Sequence, residues 1–263
     1  MTQSPIYKER AVKTYDRGNT QSASVPVVLE IPITVYVNDT EMATLICSPG
    51  GHKELAVGFL LSEGLLQDIS DIKDITFNEQ DGLLWMETTA PVPQLENFLR
   101  RQINSCCGKG RAALYYINDA RKLKPVESSC VFAASHLLHL ISLLEEKSAT
   151  FRKTGGVHSA ALADNKGMLV IHEDIGRHNA VDKVFGHAFL NRLNPGDKCL
   201  LLSGRISSEI LIKAAHNGIP VVVSRSAPTF LAVELADEFN ITMVGFARRE
   251  RLTVYSHMER VSM

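Results

Sequence analysis

The stretch KCLLLSGRISSEILIKAAHNGIPVVVSRSAPTFLAVELADEFNITMVGFARRER, residues 198–251, decides the fold. Apolar runs at 198–202, 220–223 and 241–244 read as strands. Amphipathic runs at 207–217 and 229–239 between them read as helices. Strand, helix, strand, helix, strand at this spacing predicts parallel strands joined by right-handed crossovers, hence an α/β layer structure. Working back along the chain, Val181, Val184, Phe185, Ala188 and Phe189 mark a helical face that ends before Pro195-Gly196. Residues 158–163 and 168–172 flank Asp164-Asn165-Lys166-Gly167 as a hairpin, and 128–146 reads as a long helix.

The first half reads as α+β. A hairpin of 33–37 and 42–47 turns at Asn38-Asp39. A helix carrying Leu55, Phe59, Leu60 and Leu61 stops at Gly64, and a second β pair, 72–77 and 83–88, turns at Asp81-Gly82. Residues 94–101 read as a short helix that leads into a cysteine pair. The expected organisation is a polar flexible leader at 1–24, a smaller β-rich α+β domain at 25–125 and an α/β domain at 126–263.

Composition narrows the function classes. The 263 residues carry 28 Lys+Arg against 29 Asp+Glu, a formal net charge of −1. Such a balance argues against a nucleic-acid coat or a polybasic membrane binder. Any basic site is therefore local. No signal peptide or spanning segment is evident, and the five cysteines are an odd number. A reducing, cytoplasmic setting with free thiols is expected.

Ligands in open α/β sheets bind beyond the carboxyl ends of the strands, where helix N-termini point. The three parallel strands run into Ser203-Gly204-Arg205, Ser224-Arg225-Ser226 and Phe246-Ala247-Arg248-Arg249-Glu250-Arg251. Backbone N–H groups, serine hydroxyls and guanidinium forks suit phosphate oxygens. Three such loops on one rim predict an anion site the size of a diphosphate or nucleotide. The run from His172 to Lys183, which contains Arg177 and His178, is a dense polar cluster at a strand-to-helix junction. It reads either as acid–base or ligand-binding chemistry, or as a helix cap at Asp174. His158, after Gly155-Gly156, reads either as a ligand or as a hydrogen-bonded core residue.

Cys47, Cys130 and Cys199 fall within apolar patterns and are expected to pack as small hydrophobes. Cys106 and Cys107 differ. They precede Gly108-Lys109-Gly110-Arg111 and follow Arg100-Arg101, and positive neighbours stabilise the nucleophilic thiolate. Such a thiolate can accept sulfane sulfur from a persulfide and donate it onward. A zinc site is disfavoured, because the sequence has no C-x-x-C and no H-E-x-x-H. A base deaminase would need H-x-E, whereas alanine follows at His158-Ser159-Ala160.

The vicinal cysteine loop, Gly155-Gly156-Val157-His158, the run from Glu173 to Lys183, Ser203-Gly204-Arg205, the run from Ser224 to Thr229 and Gly245-Phe246-Ala247-Arg248-Arg249 occur in order. Together they resemble the FdhD/NarQ family of formate dehydrogenase accessory sulfurtransferases, over nearly the whole chain after the leader. The resemblance implies a cytoplasmic homodimer that takes sulfur from a cysteine desulfurase. It would deliver that sulfur to the molybdenum or tungsten bis(guanine dinucleotide) cofactor of formate dehydrogenase. It also implies a three-layer cytidine deaminase-like fold without deaminase chemistry for the C-terminal domain.

Carried over by motif, the persulfide cysteine falls on Cys106 or Cys107, and the cofactor-binding stretch on Phe246 to Arg251. Many family members have C-G-x-C-G in this loop, while here the thiols are adjacent. Matching the Cys-Gly step selects Cys107; matching the later Gly-Lys step selects Cys106. The first match is preferred. The competing class is a non-catalytic chaperone that binds the molybdenum cofactor without carrying sulfur.

Overall fold

A computed structural model describes residues 6–89 and 123–263. Where the polar composition through Ser24 predicts a loose leader, the chain instead forms an antiparallel arm. Strands β1 (Tyr7–Asp16) and β2 (Asn19–Val28) pair in unbroken register, from Tyr7 opposite Val28 to Asp16 opposite Asn19. Arg17 and Gly18, with φ of 47° and 90°, close the two-residue turn in the left-handed conformations that match strand twist. No residue of the arm is fully buried, so neither face needs an apolar stripe to mark it in the sequence. At its base, Lys153 Nζ donates to Tyr7 Oη at 2.7 Å, and Val28 packs on Gly156.

The first compact sheet comprises β3 (Ile31–Val37), β4 (Thr40–Cys47), β5 (Ile72–Asn78) and β6 (Leu83–Thr88), with α1 (His52–Ser62) between β4 and β5. Asn38 and Asp39, with φ of 47° and 63°, turn β3 into β4 as predicted. The strand order is β4-β3-β6-β5, with β3 and β6 parallel. Alternate residues Ile33, Val35, Leu84 and Met86 point to one face and bury against Leu55, Phe59 and Leu60 of α1.

The second half opens with β7 (Phe132–Ala133) and α2 (Ala134–Lys147). The helix starts later than the predicted 128, because Phe132 is buried and paired with Val261 of a C-terminal strand. There follow α3 (Ala149–Thr154), the hairpin β8 (His158–Asp164) and β9 (Gly167–Asp174), and α4 (Arg177–Leu190). The decisive stretch then folds as β10 (Cys199–Leu202), α5 (Ser208–His216), β11 (Val221–Ser224), α6 (Phe230–Glu238) and β12 (Thr242–Arg248). An additional strand, β13 (Arg251–Ser256), returns antiparallel to β12, and β14 (Val261–Ser262) pairs with β7.

The six-stranded sheet has the order β13-β12-β11-β10-β8-β9, with β10, β11 and β12 parallel. Every residue of β10 is buried, as a strand covered on both faces requires. Leu200 and Leu202 face Val181, Val184, Ile210 and Leu235 on α4, α5 and α6. Cys199 and Leu201 face Leu137, Leu140 and Leu144 on α2. The architecture is therefore mixed α/β, with three layers in the second half and six helices among the described residues. No helix among the described residues is long and apolar enough to cross a membrane.

Helices α1 and α4 join the two halves through glycines. A Cβ on Gly58 would lie 1.8 Å from the carbonyl oxygen of Asp182, and one on Gly186 would lie 1.8 Å from that of Glu54. Only residues without side chains permit this backbone approach.

Candidate functional site

The polar run from Glu173 to Lys183 does structural work at that same joint. Lys183 Nζ pairs with Asp174 Oδ2 at 2.7 Å, with both side chains essentially inaccessible, and also donates to Ser48 O at 3.1 Å. Asp174 further accepts from the backbone N–H groups of Ser48 and Gly176 and from Asn179 Nδ2, each at 3.0 Å. Asp182 accepts from Lys213 Nζ and Ser62 Oγ at 2.7 Å. Glu173 caps the start of α3, accepting from the N–H groups of Thr150 and Phe151 at 2.9 Å. A buried charge is tolerable only when paired and hydrogen-bonded, and these are. Asp174 accepts from the N–H of Gly176 and from no backbone N–H in the first turn of α4, so it does not cap that helix, and a buried, satisfied network describes most of the run.

Arg177 and His178, at the start of α4, stand apart from the network. A Cβ on Gly204 would meet His158 Nδ1 at 3.2 Å and Arg177 Cβ at 3.8 Å, so these three residues converge where β10 ends and β8 begins. Burial, aided by the Arg177 and Arg205 charges, lowers the His158 pKa and favours the neutral ring. His178 is pulled down to about 3, first by burial and then by Lys213, Arg177 and His158. Its Nε2 lies 3.2 Å from Glu209 Oε2, as a neutral ring donating to a carboxylate. Arg177 Nε and Ser207 Oγ are buried without a partner among the described residues.

A second group lies further along the same sheet edge, around a cavity of about 740 Å³ lined by Glu145, Arg225, Phe246, Arg248, Arg249 and Arg251. That volume is within the range of small-molecule sites, on the order of 300–1,000 Å³. Local backbone chemistry places each lining residue. Gly245 lets the loop after β11 come close, since a Cβ there would lie 3.0 Å from Pro228 Cδ. Phe246 N–H then donates to Ser226 O at 3.0 Å. Phe246 and Arg249 adopt φ of 49° and 54°, which is uncommon for residues with side chains. The strand is irregular between Gly245 and Arg248, and Phe246 is left exposed beside the Arg248 guanidinium, 5.7 Å from its ring centroid.

The structure thus divides the predicted site residues. Arg225, Phe246, Arg248, Arg249 and Arg251 line the cavity. His158, Arg177, His178, Gly204 and Arg205 gather with one another where β10 ends, outside the cavity lining. Ser203, Ser224 and Ser226 act as scaffold: Ser203 Oγ accepts from Ser159 N–H at 2.9 Å, and Ser224 Oγ donates to Gly204 O at 2.6 Å while accepting from Ser226 N–H. Ala247, expected at the ligand, is fully buried in the core beneath α2, because neighbouring residues on a strand face opposite sides. Glu250 is exposed in the β12–β13 turn, outside the cavity lining.

Glu145 was not anticipated. It pairs with Arg225 Nε from the last turn of α2. A carboxylate at a helix C-terminus opposes the helix dipole, but Glu146 in the same turn shares that placement, so nothing in the sequence singles out Glu145.

Cys106 and Cys107, the predicted helix at 94–101 and the flanking Arg100, Arg101, Lys109 and Arg111 lie outside the described residues. Cys47 and Cys199 are fully buried, and burial pushes the Cys47 thiol up to about 12, far from a reactive thiolate. Cys130 is partly buried. Among the described residues, no group of three or more His, Cys, Asp and Glu side chains is placed to hold a metal ion.

Comparison with known proteins adds a family assignment. The FdhD/NarQ family model matches residues 28–262. A sulfur carrier protein FdhD of Bacillus pumilus is 42% identical over 258 residues, covering 98% of both chains. That of Bacillus subtilis is 42% identical over 253 residues, covering 96% of both. A crystal structure from Desulfotalea psychrophila, of a protein assigned as a formate dehydrogenase accessory protein, superposes with a TM-score of 0.82 at 26% identity. It covers 98% of this chain and 100% of its own.

Proposed function

Since the chain belongs to the FdhD/NarQ family, we propose that it is a sulfur carrier serving formate dehydrogenase, with Cys107, or its neighbour Cys106, as the persulfide-bearing thiol. The donor is a cysteine desulfurase. The carrier thiolate attacks the terminal sulfur of the donor's persulfide, the donor's sulfur–sulfur bond breaks, and the donor cysteine leaves as a thiolate. This exchange is redox-neutral. The acceptor, a substrate rather than a resident group, is the molybdenum or tungsten bis(guanine dinucleotide) cofactor. The protein acts in the cytoplasm as a homodimer, and its second half has a cytidine deaminase-like fold without deaminase chemistry.

The observation that carries the reading is the cavity whose lining gathers Arg225, Arg248, Arg249 and Arg251 around exposed Phe246. Four guanidiniums on a chain of net charge −1 make a local site for a multiply charged anion, and a diphosphate supplies oxygens in the forked geometry that arginine matches. The aromatic ring beside them offers a stacking face for a base. Arg177 and Arg205 extend the positive rim towards β8, and the neutral His158 ring beside them can donate a hydrogen bond to an incoming anionic sulfur.

The test is to incubate the protein with a desulfurase and cysteine, then locate the added mass of sulfur by peptide mass spectrometry in the C106A and C107A variants. Sulfur that persists in C106A and is lost in C107A assigns the carrier to Cys107. A chain that acquires no sulfur on either thiol, while a doubly substituted variant still matures formate dehydrogenase, would make the protein a cofactor chaperone instead.

A further inference from the structure

The arm of β1 and β2 has no third strand on either side among the described residues, so both of its outer edges end in open backbone. Two ten-residue strands standing alone are a marginal structure in water, and the arm joins none of the hydrophobic cores. What it offers is an edge. Leu29 N–H donates to Ile6 O at 2.8 Å, and the register runs on unbroken from Tyr7 opposite Val28. Hydrogen-bonded pairs alternate with open ones along an antiparallel ladder, so the even-numbered residues of β1 bond to β2. Tyr7, Glu9, Ala11, Lys13 and Tyr15 therefore turn their N–H and C=O groups outward. The same alternation turns Pro26 outward on β2, where it presents no donor, and that edge is blunted. The β1 edge contains no proline and stays open along its length.

We propose that the outer edge of β1 pairs antiparallel with the same edge of a second copy of this chain, about a twofold axis through Ala11. In that register Tyr7 stands opposite the partner's Tyr15, Glu9 opposite the partner's Lys13 and Ala11 opposite the partner's Ala11, and the symmetry repeats each pair. Opposite charges and aromatic rings facing each other across strands are stabilising, whereas like charges are not. An axis through Glu9, Arg10 or Lys13 sets that residue against its own copy. An axis through Val12 leaves Glu9 facing a tyrosine and Lys13 facing an alanine. Charges along an edge turn away indiscriminate partners, but they admit one whose charges run in the reverse order, and a copy related by a twofold axis is such a partner. The pairing also takes up Tyr15, which is 75% exposed near the tip of the arm. It carries that ring to the base of the other arm, where Lys153 lies over the Tyr7 ring, 5.0 Å from its centroid. The inference rests on the homodimer reading given above and names the surface that makes the dimer.

The experiment measures sedimentation equilibrium of the full chain and of E9K, K13E, E9K/K13E and A11P over a range of concentrations, with a circular dichroism melt of each as a check on folding. The unsubstituted chain dimerises. E9K and K13E each set like charges opposite one another on both sides of the axis and weaken dimerisation about tenfold, an effect that added salt reduces. E9K/K13E exchanges both members of the pair and recovers to within about twofold of the unsubstituted chain. A11P removes an outward donor that takes no part in the bonds to β2, and it too weakens dimerisation. Should A11P disturb the hairpin, the three charge variants still decide. Weakening by both single reversals with no recovery in the double variant would overturn the register and the inference with it. Dimerisation that none of the four variants changes would place the second copy on another surface, overturning the inference while leaving the homodimer reading in place. A chain that is monomeric at every concentration would overturn both.

Discussion

The carbonyl oxygen of Asp182 stands where a side chain on Gly58 would begin: a Cβ built there would lie 1.8 Å from it. The helices α1 and α4 therefore cross backbone to backbone, and the reciprocal contact of Gly186 with Glu54 O fixes a second point. In an isolated helix, Gly→Ala gains about 1 kcal/mol. Here G58A forces apart two elements whose separation also sets the hydrogen bond from Ser62 Oγ on α1 to Asp182 Oδ1 on α4. The expected net result is a loss of about 3 kcal/mol, read from urea denaturation. Unchanged or increased stability would show that the helices are free to separate.

Acid destabilises the fold before its carboxylates titrate. His178 and His172 are pulled down to about 3 and about 4. Burial is the main cause for both, opposed at His172 by Glu54 and aided by Lys183 and His187. The unfolded chain takes up protons on these rings near the ordinary histidine value, whereas the folded chain does not. Stability is therefore full above that value and is lost as pH falls through about 6.5, at up to about 1.4 kcal/mol per pH unit for each ring. Denaturation at pH 7.5, 6.5 and 5.5 checks the slope, and H178Q should flatten it. A stability that is constant across this window contradicts the burial of neutral rings.

The arm of β1 and β2 is expected to be dispensable for folding. None of its residues belongs to the three hydrophobic cores, and the family model begins at residue 28. A chain starting at Val28 should melt within about 2 °C of the full chain, since the surface substitutions it resembles stay near 0.5 kcal/mol. A large drop would mean that the contacts of Tyr7 with Lys153 and of Val28 with Gly156 hold more than the base of the hairpin.

The alternation of buried strand and amphipathic helix from Lys198 onward was legible in the sequence because a strand covered on both faces must be apolar throughout. The arm was not legible, since its ladder is satisfied by backbone groups and its faces carry no apolar requirement. That Arg225, Phe246, Arg248 and Arg251 meet around one cavity follows from their shared place beyond the strand ends, which the sequence pattern located. Glu145 was not legible, because it reaches the cavity from α2, across the layer and far along the chain, and no local spacing announces that meeting. Ala247 was misplaced for a related reason: a motif names consecutive residues, while a strand sends them to opposite faces.

That last distinction yields a paired test. Ala247 is fully buried beside Leu137, Leu140 and Val244, and Arg251 is exposed at the cavity. Placing a carboxylate at the first position leaves an unpaired charge in an apolar core, so A247D should unfold the chain or lower its stability by several kcal/mol, on the order of 3–5. Removing the guanidinium at the second touches no core contact, so R251A should melt as the unsubstituted protein does. It should nevertheless bind GDP about tenfold more weakly, because a charge-assisted hydrogen bond to a phosphate is worth about 1.5–3 kcal/mol. Raising the salt concentration should weaken GDP binding to the unsubstituted chain more steeply than to R251A, since one fewer cation takes part. Circular dichroism melts and nucleotide titrations on the two variants separate these effects. A folded A247D that has lost only GDP affinity would put Ala247 back in contact with the ligand.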